Sequence, residues 1–196
     1  MIDTAELVRV TRAALRLVLG DSGAQNAFDV SLDGFWRSFA VIGLLAPTAL
    51  VSIVADHELA LAAAVDPSTV SAFARLVAGS LSYVLGWIAF PVAAALLARP
   101  FALDRVYVPW MVARNWTSII AAIPAFVVTL AWLLGLLPTG LLGPGSLASL
   151  GFSLYCLYVV ARRVAGLGIG SAAAFVLLDL LLSMVIEVGL DRLFGL

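Results

Sequence analysis

Asp179, Ser183 and Glu187 are the residues of this sequence best placed to do chemistry. They recur at every fourth position inside an otherwise apolar stretch, Ser171 to Leu190, a spacing that puts all three on one face of a helix. Carboxylates in such a setting have two uses. They pair with a cation or donor on a neighbouring helix, or they hand protons or cations along a path, as in pumps and transporters. A path needs polar residues on several helices, and the first and fourth apolar stretches offer almost none. A structural polar contact is therefore the main expectation, and an ion path using Asp179 and Glu187 is the alternative.

The energetics permit the stretch to insert in either case. Asp179 costs roughly 2.5 to 3.5 kcal/mol near a bilayer centre. The eleven Leu, Ile, Val and Phe residues around it contribute about −3 to −7 kcal/mol on the same scale. A partner is expected from the third apolar segment. Counted from the nearer end at about 1.5 Å per residue, Asp179 lies roughly 12 Å deep and Arg114 roughly 8 Å. Arg114 or Asn115 is thus expected to reach Asp179, giving a buried polar patch of Arg114, Asn115, Asp179, Ser183 and Glu187.

Other chemistry finds little support. His57 stands between Asp56 and Glu58, but the chain has no second histidine and no cysteine nearby, so a metal site is not expected. Cys156 is the only cysteine and reads as a small packing residue. Gly166, Gly168 and Gly170 resemble a phosphate loop only superficially, since no strand precedes them and no lysine follows. No HExxH, GxSxG or serine, histidine and aspartate set is present. No catalytic, cofactor-binding or metal-binding residue is assigned, and the protein is expected not to be an enzyme.

The elements that carry these residues follow from composition. With 63% hydrophobic and 12% charged residues over 196 and a mean hydropathy of +1.12, the chain reads as an all-α integral membrane bundle. A formal charge of −1 argues against a nucleic-acid partner. Spans are expected at about 36–55, 76–98, 109–137, 147–164 and 171–190. The third opens with Pro109 in its first turn and bends at Pro124, and 138–146 forms a tight uncharged turn. In the second span Ala78, Ser82 and Gly86 recur every four residues. Close helix packing is the default reading of that stripe, and a ligand-lining groove is its alternative.

Residues 1–35 form a separate N-terminal part. Leu7, Val10, Ala14, Leu17 and Val18 share one side of a helix, with Glu6, Arg9, Arg12 and Arg16 on the other. This is expected to be an amphipathic helix at the bilayer interface, with Arg9, Arg12 and Arg16 toward lipid phosphates, or else a helix packed on a neighbouring chain. Gly20 ends it and a polar linker of about fifteen residues follows. No cleavable signal peptide is evident. Arg37, Arg99, Arg105, Arg114, Arg162 and Arg163 flank one side of the spans, against Arg75 and Arg192 on the other. That bias predicts a cytoplasmic N-terminus and a periplasmic C-terminus, and the arginine-only, Ala- and Leu-rich composition suggests a bacterial inner membrane.

Five spans, a preceding amphipathic segment and a short arginine-bearing loop between spans two and three resemble the Yip family of five-span membrane proteins. The blocks Gly34-Phe35-Trp36-Arg37-Ser38-Phe39 and Gly86-Trp87-Ile88-Ala89-Phe90-Pro91, with Asn115-Trp116 and the Asp179 span, are similar to bacterial membrane proteins of Yip-like topology. The resemblance implies a non-enzymatic adaptor or membrane-organising role, with lipid, other membrane proteins or a second copy as partners, and it implies no catalytic residues. The rival expectation is a small transporter or channel subunit. A polar cavity reaching Asp179 from one face would favour transport, and a closed bundle with a flat apolar flank would favour an adaptor.

Overall fold

The computed structural model describes residues 3–66, 68 and 71–196, and these form an all-α chain with no strand among them. Helix α1 (Thr4–Val18) starts after Asp3 in extended conformation, has Glu6 in its first turn and Arg16 in its last, and so suits the helix dipole at both ends. Gly20, at φ +119°, takes a backbone conformation that side chains resist, and α1 stops there.

The linker beyond it is ordered. A 3-10 turn (Ser22–Ala27) is capped by Asp21, whose side chain accepts from Gly23 N. Helix α2 (Leu32–Ser38) is capped by Ser31, whose hydroxyl accepts from Gly34 N at 3.0 Å. Gly34 has no substitute at this point, because a Cβ there would stand 2.2 Å from the Asp29 carbonyl. The expected first span therefore begins earlier than residue 36. Phe39, Ala40 and Ile42 each donate to the residue three back, a tightened turn that joins α2 to α3 (Val41–Ala63).

The other long helices are α4 (Ala72–Ala98), α5 (Tyr107–Leu133), α6 (Thr139–Arg163) and α7 (Ile169–Phe194). With Leu32–Ala63 they make five segments long and apolar enough to cross a membrane, and the protein is a multi-pass membrane protein. Most boundaries extend past the expected ones. Asp56, His57 and Glu58, expected in a loop between the first span, ending at about 55, and the second, lie in the last turns of α3, because one strongly apolar segment carries its helix through a few charges at its end. Residues 67, 69 and 70 of that expected loop lie outside the described residues. Helix α6 starts at Thr139, so the expected turn at 138–146 is mostly helical; Pro144 falls in its second turn, where it removes few intrahelical bonds. Helix α5 instead ends early, at a turn in which Gly135 adopts φ +71° and Leu136 N and Leu137 N both donate to Ala131 O.

The five segments pack in a ring. Going round it, α3 contacts α4, α4 contacts α7, α7 contacts α6, α6 contacts α5 and α5 contacts α3. At the end carrying α1 the ring is filled. Trp110 and Met111 of α5, Phe90 of α4, Val160 of α6 and Phe175 of α7 are buried together, and Trp110 meets Phe90 and Phe175 edge to face at 5.7 and 5.1 Å.

Helix α1 closes this end from outside. Val10, Ala13, Ala14 and Leu17 are at most 4% exposed within the same core. Arg163 Nη1 donates to Leu17 O at 3.0 Å and Tyr155 OH to Val18 O at 3.2 Å. The amphipathic segment thus buries its apolar face on α5 and α6 of its own chain, so that face is not available to lipid or to another chain. Arg9, Arg12 and Arg16 remain exposed on its other side. Arg9 bonds Ala27 O and Arg16 Nε donates to Asp21 at 2.9 Å.

Candidate functional site

A buried ion pair crosses the interior of the ring. Arg114 Nη2 on α5 donates to both carboxylate oxygens of Asp179 on α7, at 2.9 and 2.7 Å. The residues are 8% and 7% exposed, and the guanidinium carbon lies 4.5 Å from the centre of the Phe90 ring. Removal from water strengthens such a pair and makes an unpaired partner costly. Asn115 does not join it. Adjacent helical residues point about 100° apart, and Asn115 Nδ2 instead donates to Ser38 Oγ at 2.9 Å, which donates on to Phe35 O at 2.7 Å. That chain of bonds ties α5 to α2.

Ser183 and Glu187 are exposed rather than buried with Asp179. Each four-residue step turns by about 40°, so Glu187 stands about 80° round the helix from Asp179 and roughly 12 Å along it. Ser183 Oγ returns to Asp179 O at 3.0 Å. The expected patch therefore separates into the Arg114 and Asp179 pair, the Asn115 and Ser38 link, and two residues that face open space.

That space is a lumen. On the α1 side of the ion pair only about 10 Å³ remains free among Phe90, Trp110, Leu157 and Phe175, too little for more than one water. On the other side a cavity of about 390 Å³ is lined from all five segments, by Thr48, Ser82, Trp87, Ser118, Ser153 and Ser183 among others, with Arg114 and Asp179 in its wall. Thr48, Ser82 and Tyr83 continue into a second cavity of about 520 Å³ between α3, α4 and α7, whose wall includes Ser52, Asp56, Arg75, Glu187 and Asp191. The two cavities share Thr48, Ser82 and Tyr83 in their walls and so form one recess, bounded by the ion pair where it meets the filled end of the ring.

Most hydroxyls in its wall are oriented by the backbone. Thr48 Oγ1 donates to Leu45 O at 2.6 Å, Tyr83 OH to Ile42 O at 2.5 Å, Ser118 Oγ to Arg114 O at 2.9 Å and Ser153 Oγ to Ala121 O at 2.9 Å. With their hydrogens spent inward, these oxygens offer the lumen acceptors.

The second-span stripe divides. Ala78 is 2% exposed, but Ser82 and Gly86 line the lumen, and a Cβ on Gly86 would meet nothing within 4 Å. Close approach occurs one residue on from Ala78, at Gly79, where a Cβ would stand 2.6 Å from Ile53 Cγ1. The groove reading of the stripe fits Ser82 and Gly86, and the packing reading does not. The first span is also richer than expected: Thr48, Ser52 and Asp56 face the lumen at four-residue spacing. That is the same spacing as Asp179, Ser183 and Glu187, with a hydroxyl in place of one of the two carboxylates.

Comparison with protein-family models, with curated proteins and with solved structures returned no match for this chain.

Proposed function

We propose that the chain is a non-enzymatic multi-pass membrane protein that takes a small polar solute or ion into its one-sided lumen, acting as a small transporter or a subunit of one. The observation that carries this reading is the recess lined by all five segments and ending on Arg114 and Asp179. A lipid-facing adaptor has no use for such a recess, whereas transport requires a solute site near mid-membrane reached from one side at a time. The ion pair forms the inner wall. Opening the opposite side requires the aromatic plug of Phe90, Trp110 and Phe175 to separate, and α1 to move with it.

The arginine bias supports a cytoplasmic N-terminus, so the lumen opens toward the periplasm of a bacterial inner membrane. The five-span plan with a preceding amphipathic helix keeps a Yip-like membership within this proposal. An adaptor role is the second reading, favoured by the exposed Arg9, Arg12 and Arg16 on α1, which suit anionic lipid headgroups.

Impermeant thiol labelling in oriented membranes decides between the two. In a Cys156→Ala background, Ser82→Cys and Ser118→Cys are expected to react from the side opposite α1 only, and Val84→Cys, on the outer face, to stay unreactive. A Ser82→Cys thiol as inert as Val84→Cys would leave no aqueous recess, and the adaptor reading would replace this one.

A further inference from the structure

The lumen has a chemical character that narrows its ligand. Four carboxylates line it, Asp56, Glu187 and Asp191 at the mouth and Asp179 at the inner end, against two guanidiniums, Arg75 and Arg114. Arg114 is fully engaged in charge by Asp179. The mouth therefore holds three acids to one base, and Arg75 forms no ion pair within 4.0 Å among the described residues. Low-dielectric walls focus the field of such a group and draw cations inward.

Deeper in, the wall becomes more apolar. Leu45, Ala121, Ala122 and Leu157 alternate with the hydroxyl acceptors. Tyr83 and Trp87, edge to face at 6.3 Å, both border the cavity, and aromatic faces attract cations that have shed their water. A bare metal ion fits poorly, since among the described residues no three His, Cys, Asp or Glu converge as ligands. A cation with its own hydrocarbon body satisfies both regions, and the two cavities, about 390 and 520 Å³, fall in the range of about 300 to 1,000 Å³ used by drug-sized ligands.

Resting on the proposed reading of the lumen as a solute site, we infer that its ligand is an amphipathic organic cation, whose charged head meets the acids of the mouth and whose apolar or aromatic body packs on Tyr83, Trp87 and the inner wall. An anion of the same shape is rejected at the mouth.

The probes are tetraphenylphosphonium and tetraphenylborate, alike in shape and opposite in charge. Each is titrated calorimetrically into the full chain in phosphatidylcholine nanodiscs, with empty nanodiscs as reference. The expected result is saturable binding of the cation at least about tenfold tighter than that of the anion, weakened about tenfold or more by Glu187→Gln with Asp56→Asn and by Trp87→Leu. Equal affinity for the two ions, unsaturable uptake no greater than that of empty discs, or a double variant that binds as the parent does would each overturn the inference. Reactivity of Ser82→Cys separates the two levels. If that thiol labels while tetraphenylphosphonium does not bind, the lumen stands and its ligand class falls; if neither occurs, the lumen itself falls.

Discussion

Arg114 and Asp179 stand in the interior because each makes the other tolerable. Removing one partner of a buried pair strands a charge and costs about 3 to 5 kcal/mol, while removing both costs less than the sum. Asp179→Asn and Arg114→Gln are thus each expected to lower the unfolding temperature in detergent markedly, and the double variant to recover about 1 to 3 kcal/mol of coupling. Strict additivity would mean that the two residues do not act together. Asn115→Ala is expected to cost about 1 to 3 kcal/mol, since it leaves the buried Ser38 hydroxyl without its donor, and Ser38→Ala should offset part of that loss. The pairing of Arg114 with Asp179 was legible from two depths counted along two helices. The choice between Arg114 and Asn115 was not, because depth says nothing about rotation about the helix axis. Ser38 had no signal at all: a lone serine before an apolar run reads as a cap or an anchor.

At the scale of elements, apolar runs and prolines located the five segments, but their ends slid by several residues wherever helix continued through polar sequence, as at Asp56 to Glu58 and at Thr139 to Ser146. The stretch after Gly20 read only as a polar linker because its order comes from side-chain contacts that join it to α1 and α2. Asp29 meets Arg37, Arg37 lies 3.5 Å from Glu6, and Arg16 holds Asp21. The Arg16 bond is the main cause that holds the Asp21 carboxyl below the usual carboxylate range, and Ser31, with help from Arg37, does the same for Asp29. A lowered carboxyl contributes stability that is whole above about pH 4 and is lost as pH falls through the lowered values. Acid below that range should therefore lower amide protection, relative to the intrinsic exchange rate, in α1 and α2 ahead of α5 and α6, and Asp21→Asn with Asp29→Asn should flatten the response. Protection that falls equally in α5 would contradict it. Between α3 and α4 the contact depends on Gly79. Gly79→Ala is expected to destabilise by about 1 to 3 kcal/mol through the clash with Ile53, and Ile53→Ala to restore part of it; a neutral Gly79→Ala would show that the two helices are free to part.

Over the whole molecule, the ring is hollow in the half away from α1, where spacing along a sequence says least. Helical spacing reveals a polar stripe but not whether the stripe meets a neighbour or a space, so Ser82 and Gly86 read as packing and Thr48, Ser52 and Asp56 as little. Helix α7 states the arrangement most plainly. Leu177, Leu181, Met184, Val185 and Val188 are exposed on one side, while Asp179, Ser183, Glu187 and Asp191 face the recess. Spin labels placed singly from Ala172 to Asp191 in liposomes, read by collision with oxygen and with a water-soluble nickel chelate, test this directly. Oxygen maxima are expected at 177, 181, 185 and 188 and chelate maxima at 183, 187 and 191, out of phase and rising toward the C-terminal end. Chelate access that stays flat along the helix, or that moves in phase with oxygen, would contradict it.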